Sequence, residues 1–106
     1  MTEFDPYLKW LGIRSRGRAP NHYRLLGLDL FESDSDIIAN AADRQISHVK
    51  TFQQGPEGEY AQDILNRLAN AQLTLLKPES KAAYDQKLKA KIKALRAARA
   101  LSLIHI

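Results

Sequence analysis

Cysteine is absent from the 106-residue chain, so the protein contains neither a disulfide, nor a thiolate metal ligand, nor a cysteine nucleophile. Long apolar runs are also absent, because no segment approaches the roughly 20 residues that cross a bilayer. The first residues lack the basic-then-apolar order of a signal peptide, and we therefore expect a cytoplasmic location. The sequence also lacks a phosphate-binding glycine loop and a glycine-elbow serine, which excludes two common kinds of enzyme site.

The composition is typical of one globular domain, with 44% apolar and 26% charged residues. Its charge is unevenly distributed, although the total net charge is only +4. Residues 1–80 contain nine basic and eleven acidic residues, a net charge of −2. Residues 81–106 contain seven basic residues and one acidic residue, a net charge of +6. Any surface that attracts polyanions through its overall charge is therefore expected in the last segment.

Two short helices are predicted near the N-terminus from their capping residues. Asp5 and Asn21 are typical N-caps, while Gly12 and Gly27 are typical residues just past a helix end. In the first helix, the helical spacing predicts an inner face with Trp10 nearer its edge. The residues expected on that face are Phe4, Tyr7, Leu8 and Leu11.

Longer helical patterns follow. Ser33 is predicted to cap a helix that runs to about Gln53, and residues 55–58 break it because they contain one proline and two glycines. A second long helix is predicted to end near Leu76, and the two should pack antiparallel as a hairpin. The helical spacing predicts two stripes, the first of Ile37, Ile38, Ala41, Ala42, Ile46, Val49 and Phe52, and the second of Tyr60, Ile64, Leu65, Leu68, Ala71, Gln72 and Leu75. A last helix follows from Pro78 among many lysines. Its predicted apolar stripe comprises Ala83, Tyr84, Leu88, Ile92 and Leu95.

These patterns predict an all-α protein in three segments. Residues 1–20 form an N-terminal helix and a basic loop, residues 21–100 form the helical domain, and residues 101–106 form an apolar tail. No strand-like alternation occurs in the sequence. The basic end of the last helix is expected to be a frayed extension.

Three passages of the helical domain resemble the J-domain family: residues 22–28, residues 33–37, and residues 68–75 followed by 78–85. They are similar to the family's opening motif, the start of its second helix and the end of its third, in that order. The resemblance covers about residues 21–88 and implies a J-like helical hairpin. Among J-like sequences, the chain is similar to N-terminal modules of large planctomycete-type proteins, in which an aromatic-rich segment precedes the J-like part.

The resembled family carries a His-Pro-Asp tripeptide that engages a seventy-kilodalton heat-shock chaperone. Counting from Ser33, the matching positions here are Val49, Lys50 and Thr51, and His48 lies one position early. These side chains supply no carboxylate. We therefore expect a non-catalytic protein–protein interaction module that does not stimulate the chaperone's ATPase. One alternative is a co-chaperone that uses a degenerate contact set near His48 and Lys50.

The candidate contact residues are aromatic, basic or imidazole side chains in three regions of the chain. They are Trp10, Arg14, Arg16, Arg18, His48, Lys50, Lys87 and Lys91. Trp10 is either a binding anchor or, as the more frequent case, a side chain that docks on its own domain. His48 is expected to be solvated or capping rather than catalytic, since no convergent partner is evident.

The lysines of the last helix have two interpretations. A run of charge is usually the solvated face of a helix, but almost no acidic residue neutralises this one between Lys87 and Arg99. The second alternative is accordingly a weak nucleic-acid-binding arm in this segment. No catalytic residue, cofactor or metal site is predicted, and a protein partner is expected.

Overall fold

The computed structural model describes residues 4–15 and 18–104, and every regular element within them is an α-helix. The helices are α1 (Pro6–Leu11), α2 (His22–Leu26), α3 (Ser35–Lys50), α4 (Gly58–Leu76) and α5 (Pro78–Ile104). The predicted all-α fold class is therefore confirmed. Within these ranges, none of the helices combines the length and apolarity that a membrane crossing requires.

The two short helices begin and end at the predicted residues. The Asp5 carboxylate accepts hydrogen bonds from two amides of α1, and the Asn21 side chain accepts one from α2. Gly12 and Gly27 follow the helices with φ angles of 68° and 76°, a left-handed conformation that glycine adopts without steric cost. Local capping chemistry thus sets both boundaries.

The predicted inner face of α1 is partly wrong. Trp10 is the buried residue of this helix, with 8% of its surface exposed, whereas Leu8 is 43% exposed. Helix α1 has only six residues, so a small rotation about its axis decides which side chain meets the rest of the protein.

Helix α3 begins one residue later than predicted, with Asp34 rather than Ser33 as its N-cap. The Asp34 carboxylate accepts from the amides of Asp36 and Ile37 at 2.9 and 3.4 Å. The Asp34 amide in turn donates to the Glu32 carboxylate at 3.0 Å. A charged acceptor binds these amides more strongly than a hydroxyl does, which favours Asp34 at the positive helix end.

Helix α3 also ends earlier than predicted, at Lys50 instead of Gln53. The amides of residues 51–53 each donate to the carbonyl three residues before, so the chain tightens into successive turns. In these turns the side chains of residues 51–53 still point in directions similar to those they would have in a continued helix. Phe52 consequently still packs against the core, as its position in the apolar stripe predicted.

Residues 51–57 reverse the chain between α3 and α4. Gly58, the first residue of α4, lies so close to the turn that an added Cβ would be 2.4 Å from the Gln53 carbonyl oxygen. At Gly55 an added Cβ would be 3.5 Å from the Phe52 carbonyl oxygen, an ordinary contact distance. The close approach of two backbone segments therefore requires glycine at position 58 but not at position 55.

Helices α3 and α4 make the most extensive contact in the fold, with α2 against both and α5 against α4. The core between them confirms most of the predicted apolar positions, although Ile37 is 46% exposed. The largest fully buried side chains are Tyr23, Leu26, Ile38, Val49, Ile64, Leu68 and Leu75.

Helix α5 packs on the core only through its first half. Leu88 is buried, and Tyr84 and Ile92 pack beside it, whereas Ala83 and Leu95 are exposed and depart from the predicted stripe. The side chains of residues 93–101 are all exposed. The helix nevertheless continues to Ile104, so the expectation of a frayed extension is wrong. Residues 105 and 106 of the predicted tail lie outside the described residues.

Candidate protein-interaction surfaces

Val49, Lys50 and Thr51 lie at the C-terminal end of α3. Val49 is fully buried in the core, and the Lys50 side chain is exposed at the last position of α3. The Thr51 hydroxyl donates to the His48 carbonyl oxygen at 2.7 Å. The three side chains thus serve as a core residue, a surface cation and a helix-end hydrogen-bond donor.

His48 connects this end of α3 to α1. Its Nε2 atom lies 2.9 Å from the carbonyl oxygen of Trp10, and its ring meets the Phe52 ring edge-on at 5.3 Å. The backbone carbonyls at the end of a helix have no partner within that helix, so an outside donor stabilises them. His48 therefore caps the C-terminal end of α1, in agreement with the expected capping role.

An aromatic cluster covers the same end of the hairpin. Trp10 stacks on Phe52 at a centroid distance of 4.6 Å, and Phe4 contacts both Trp10 at 5.2 Å and Tyr60 at 5.1 Å. We call Phe4, Trp10, Phe52 and Tyr60 the hairpin-end cluster. Burial in this cluster agrees with the docking of Trp10 on its own domain. A partner could reach the Trp10 ring only if α1 moved away.

Arginines from the loop after α1 and from α2 form a second candidate surface. Arg14, Arg18 and Arg24, with Ser15, line an open depression of about 630 Å³. We call these three arginines the arginine surface. All three are exposed; Arg14 and Arg18 are among the predicted contact residues, whereas Arg24 is not. The predicted contact Arg16 lies outside the described residues.

Two backbone contacts position the arginine surface. The Arg24 guanidinium donates from Nη2 to the Arg14 carbonyl oxygen at 3.1 Å. The Arg18 amide donates to the Ser15 carbonyl oxygen at 3.0 Å. The exposed position of Arg24 could have been predicted, because it lies three residues after the Asn21 cap, on the polar side of α2. Its contact with the loop after α1 could not, since no feature of the local sequence indicates it.

Helices α2 and α5 are joined by hydrogen bonds between residues 62 positions apart. The Tyr23 hydroxyl donates to the Asp85 carboxylate, whose other oxygen lies 2.8 Å from Lys81 Nζ. The His22 amide donates to the Tyr84 hydroxyl oxygen at 2.8 Å. Tyr84 therefore packs the start of α5 against α2. The pairing of Asp85 with Tyr23 could not be predicted from the sequence, because the two residues lie far apart in the chain.

Burial at this junction changes the acidities of its side chains. Burial, with a smaller contribution from the hydrogen bond to Asp85, raises the pKa of Tyr23 to about 12. Burial also raises the pKa of Tyr84. The His22 ring stacks on Tyr84 at 4.3 Å, and burial lowers the pKa of His22. The packed junction thus favours the neutral forms of Tyr23, Tyr84 and His22.

The lysines of α5 form a third candidate surface. Lys87 and Lys91 are exposed, and Lys89 Nζ lies 5.0 Å from the centre of the Phe31 ring. Asp85, the only acidic residue after residue 80, is already paired with Lys81. Positive charge therefore surrounds the projecting part of α5 instead of forming one face.

Within the described part of the chain, no group of three or more metal-binding side chains occurs. Comparisons with protein-family models, curated proteins and solved structures found no match to this chain.

Proposed function

We propose that this chain is a non-catalytic protein–protein interaction module with a J-like arrangement of helices, and that it does not stimulate the ATPase of a seventy-kilodalton heat-shock chaperone. One observation carries the proposal: Val49 is part of the buried core, and α1 docks on its neighbours His48 and Phe52. In the resembled family this position belongs to an accessible loop. Here Val49 is buried, His48 contacts the Trp10 carbonyl, and the Trp10 ring stacks on Phe52.

The surroundings of the two histidines with described structure support a non-catalytic role. His48 caps α1 through the Trp10 carbonyl, and the His22 ring stacks on Tyr84. An imidazole that acts as a general acid or base needs access to a substrate and a second group in reach. His48 is exposed and His22 is half-buried, and the contacts of both residues hold helices together.

Charge at the hairpin end also favours the proposal. The resembled tripeptide ends in a carboxylate, whereas the exposed side chain at the end of α3 is the Lys50 cation. A cation cannot accept a hydrogen bond from an arginine or a backbone amide of a chaperone. The charge at this position is thus positive, whereas a carboxylate acceptor would be negative.

A single-turnover ATPase assay tests the proposal. We expect a stoichiometric excess of this protein to leave the hydrolysis rate of a seventy-kilodalton heat-shock chaperone unchanged, while a J-domain that carries His-Pro-Asp accelerates it in parallel. A several-fold stimulation that His48→Gln or Lys50→Ala abolishes would reject the proposal. It would favour the co-chaperone alternative.

Weak nucleic-acid binding through α5 is the second candidate, because exposed lysines surround a helix that projects beyond the core. Such binding depends on the release of counterions and falls steeply as salt is added. Replacing Lys87, Lys91 and Arg99 with Ala should then abolish the binding of a fluorescent single-stranded oligonucleotide at low salt. Binding that persists in the variant or at high salt would contradict this candidate.

A further inference from the structure

We propose that the arginine surface of Arg14, Arg18 and Arg24 binds an acidic segment of a protein partner, rich in Asp and Glu. This inference rests on the proposed interaction function and adds the chemistry of the partner. The three guanidinium groups come from two different elements, the loop after α1 and helix α2, and line one depression. A guanidinium is always charged and pairs with carboxylates in a planar, two-bonded geometry.

The positive charge of this surface is not neutralised within the described residues. The ion pairs found there are Arg67 with Asp63 and Lys81 with Asp85, and neither involves the arginine surface. Asp5, which lines a neighbouring depression together with Arg18, accepts the capping hydrogen bonds of α1. None of the three guanidinium groups is paired with a carboxylate, so they repel one another. An anionic ligand removes that repulsion.

The arginine surface is also partly positioned before a ligand binds. The Arg24 guanidinium is held against the Arg14 carbonyl, and the hydrogen bond from the Arg18 amide to the Ser15 carbonyl oxygen links the positions of Arg18 and Ser15. Donors that are already positioned lose less conformational entropy on binding, so they yield more affinity per contact. An arginine run on a flexible extension would lack this advantage.

An acidic peptide fits these features better than a nucleic acid does. Residues 1–80 have a net charge of −2, so a long polyanion that extends beyond the depression meets repulsion. The residues that line the depression include no aromatic ring on which a base could stack. A short peptide places its carboxylates on the arginines without covering the rest of the body.

Fluorescence anisotropy with a fluorescein-labelled peptide of four Glu-Gly repeats tests the inference at low ionic strength. Exposed ion pairs are individually weak, so we expect the triple variant Arg14→Ala, Arg18→Ala, Arg24→Ala to lose about tenfold in affinity. The matched control removes equal charge from exposed positions elsewhere, with Lys9→Ala, Arg44→Ala and Lys77→Ala. We expect this control to bind within about twofold of the original protein.

A second variant, Ser15→Glu, keeps every arginine but places a carboxylate in the same depression. It tests the inference even if circular dichroism shows that the triple variant does not fold. We expect Ser15→Glu to weaken peptide binding by about threefold through competition for the arginines. Equal losses in the arginine and control variants, or no loss with Ser15→Glu, would overturn the inference. So would an eight-nucleotide oligothymidine that binds the same arginines more tightly than the peptide.

The failure of this inference is distinguishable from the failure of the proposed function. Peptide binding that is unchanged when the arginines are replaced overturns only the assignment of the arginine surface as the peptide site. Stimulation of the chaperone ATPase rejects the proposed function, whatever the peptide experiment gives.

Discussion

The Nε2 atom of His48 lies 2.9 Å from the carbonyl oxygen of Trp10, a residue 38 positions earlier in the sequence. This contact joins the C-terminal ends of α1 and α3. A carbonyl oxygen can only accept a hydrogen bond, so the contact requires the hydrogen of His48 to be on Nε2. The position of α1 over the hairpin end therefore depends on a polar contact as well as on the hairpin-end cluster.

Replacing His48 with Ala should weaken the docking of α1, because the Trp10 carbonyl loses its donor. We expect a loss of about 1 kcal/mol in the free energy of unfolding by urea. Trp10 is the only tryptophan, so its emission should shift to the red as α1 detaches. His48→Gln, which retains a donor group, is the control and should lose less. Unchanged stability and emission in His48→Ala would show that the contact contributes nothing.

Gly58→Ala should destabilise the protein, whereas Gly55→Ala should not. The added methyl group at position 58 would meet the Gln53 carbonyl oxygen at 2.4 Å, so the turn before α4 would have to shift. We expect a loss of about 1–3 kcal/mol for Gly58→Ala and a change within about 0.5 kcal/mol for Gly55→Ala. Urea unfolding of both variants measures the difference. Equal effects at the two positions would contradict the described turn.

Stability should fall as the pH is lowered through the titration of His22. Burial lowers the pKa of His22 below its usual value of 6.5, so the unfolded chain binds this proton more tightly than the folded protein. The resulting stability is complete above pH 6.5 and is lost as the pH falls through the folded pKa. In His22→Gln, the free energy of unfolding should vary less between pH 5 and 7.

The pKa of His22 can also be measured directly by following its ring protons by nuclear magnetic resonance. A midpoint at or above the ordinary histidine value would contradict the burial of this ring against Tyr84.

Leu68→Ala should cost about 2–4 kcal/mol, since Leu68 is fully buried between the packed helices and its truncation leaves a cavity. Leu73 on the same helix is 73% exposed and provides the matched control. We expect Leu73→Ala to change the free energy of unfolding by less than about 0.5 kcal/mol. A loss below about 1 kcal/mol for Leu68→Ala would place the core on another face of α4.

Local signals in the sequence were sufficient for much of the fold. The caps at Asp5 and Asn21 act within three residues, so the sequence predicts them without knowledge of the tertiary structure. The long apolar stripe of α4 likewise identified Leu68 as a core residue. Such features depend on neighbours one or two helical turns away.

Contacts between distant parts of the chain were not predicted. Docking of Trp10 on its own domain was the more frequent case, but the sequence does not show that its ring stacks on Phe52, just after α3 ends. Arg24 joins the arginine surface only because the loop after α1 folds back onto α2. Helical spacing gives the faces of a helix but not the element that each face meets.

The projection of α5 beyond the core separates charge in space. The exposed residues 93–101 carry three basic residues and no acidic one, while residues 1–80 have a net charge of −2, so positive charge is concentrated on the projecting helix. Two molecules, each with a net charge of +4, repel at low ionic strength, most strongly when their projecting helices approach each other. The osmotic second virial coefficient should accordingly be positive in dilute buffer and should fall as added salt screens the charges.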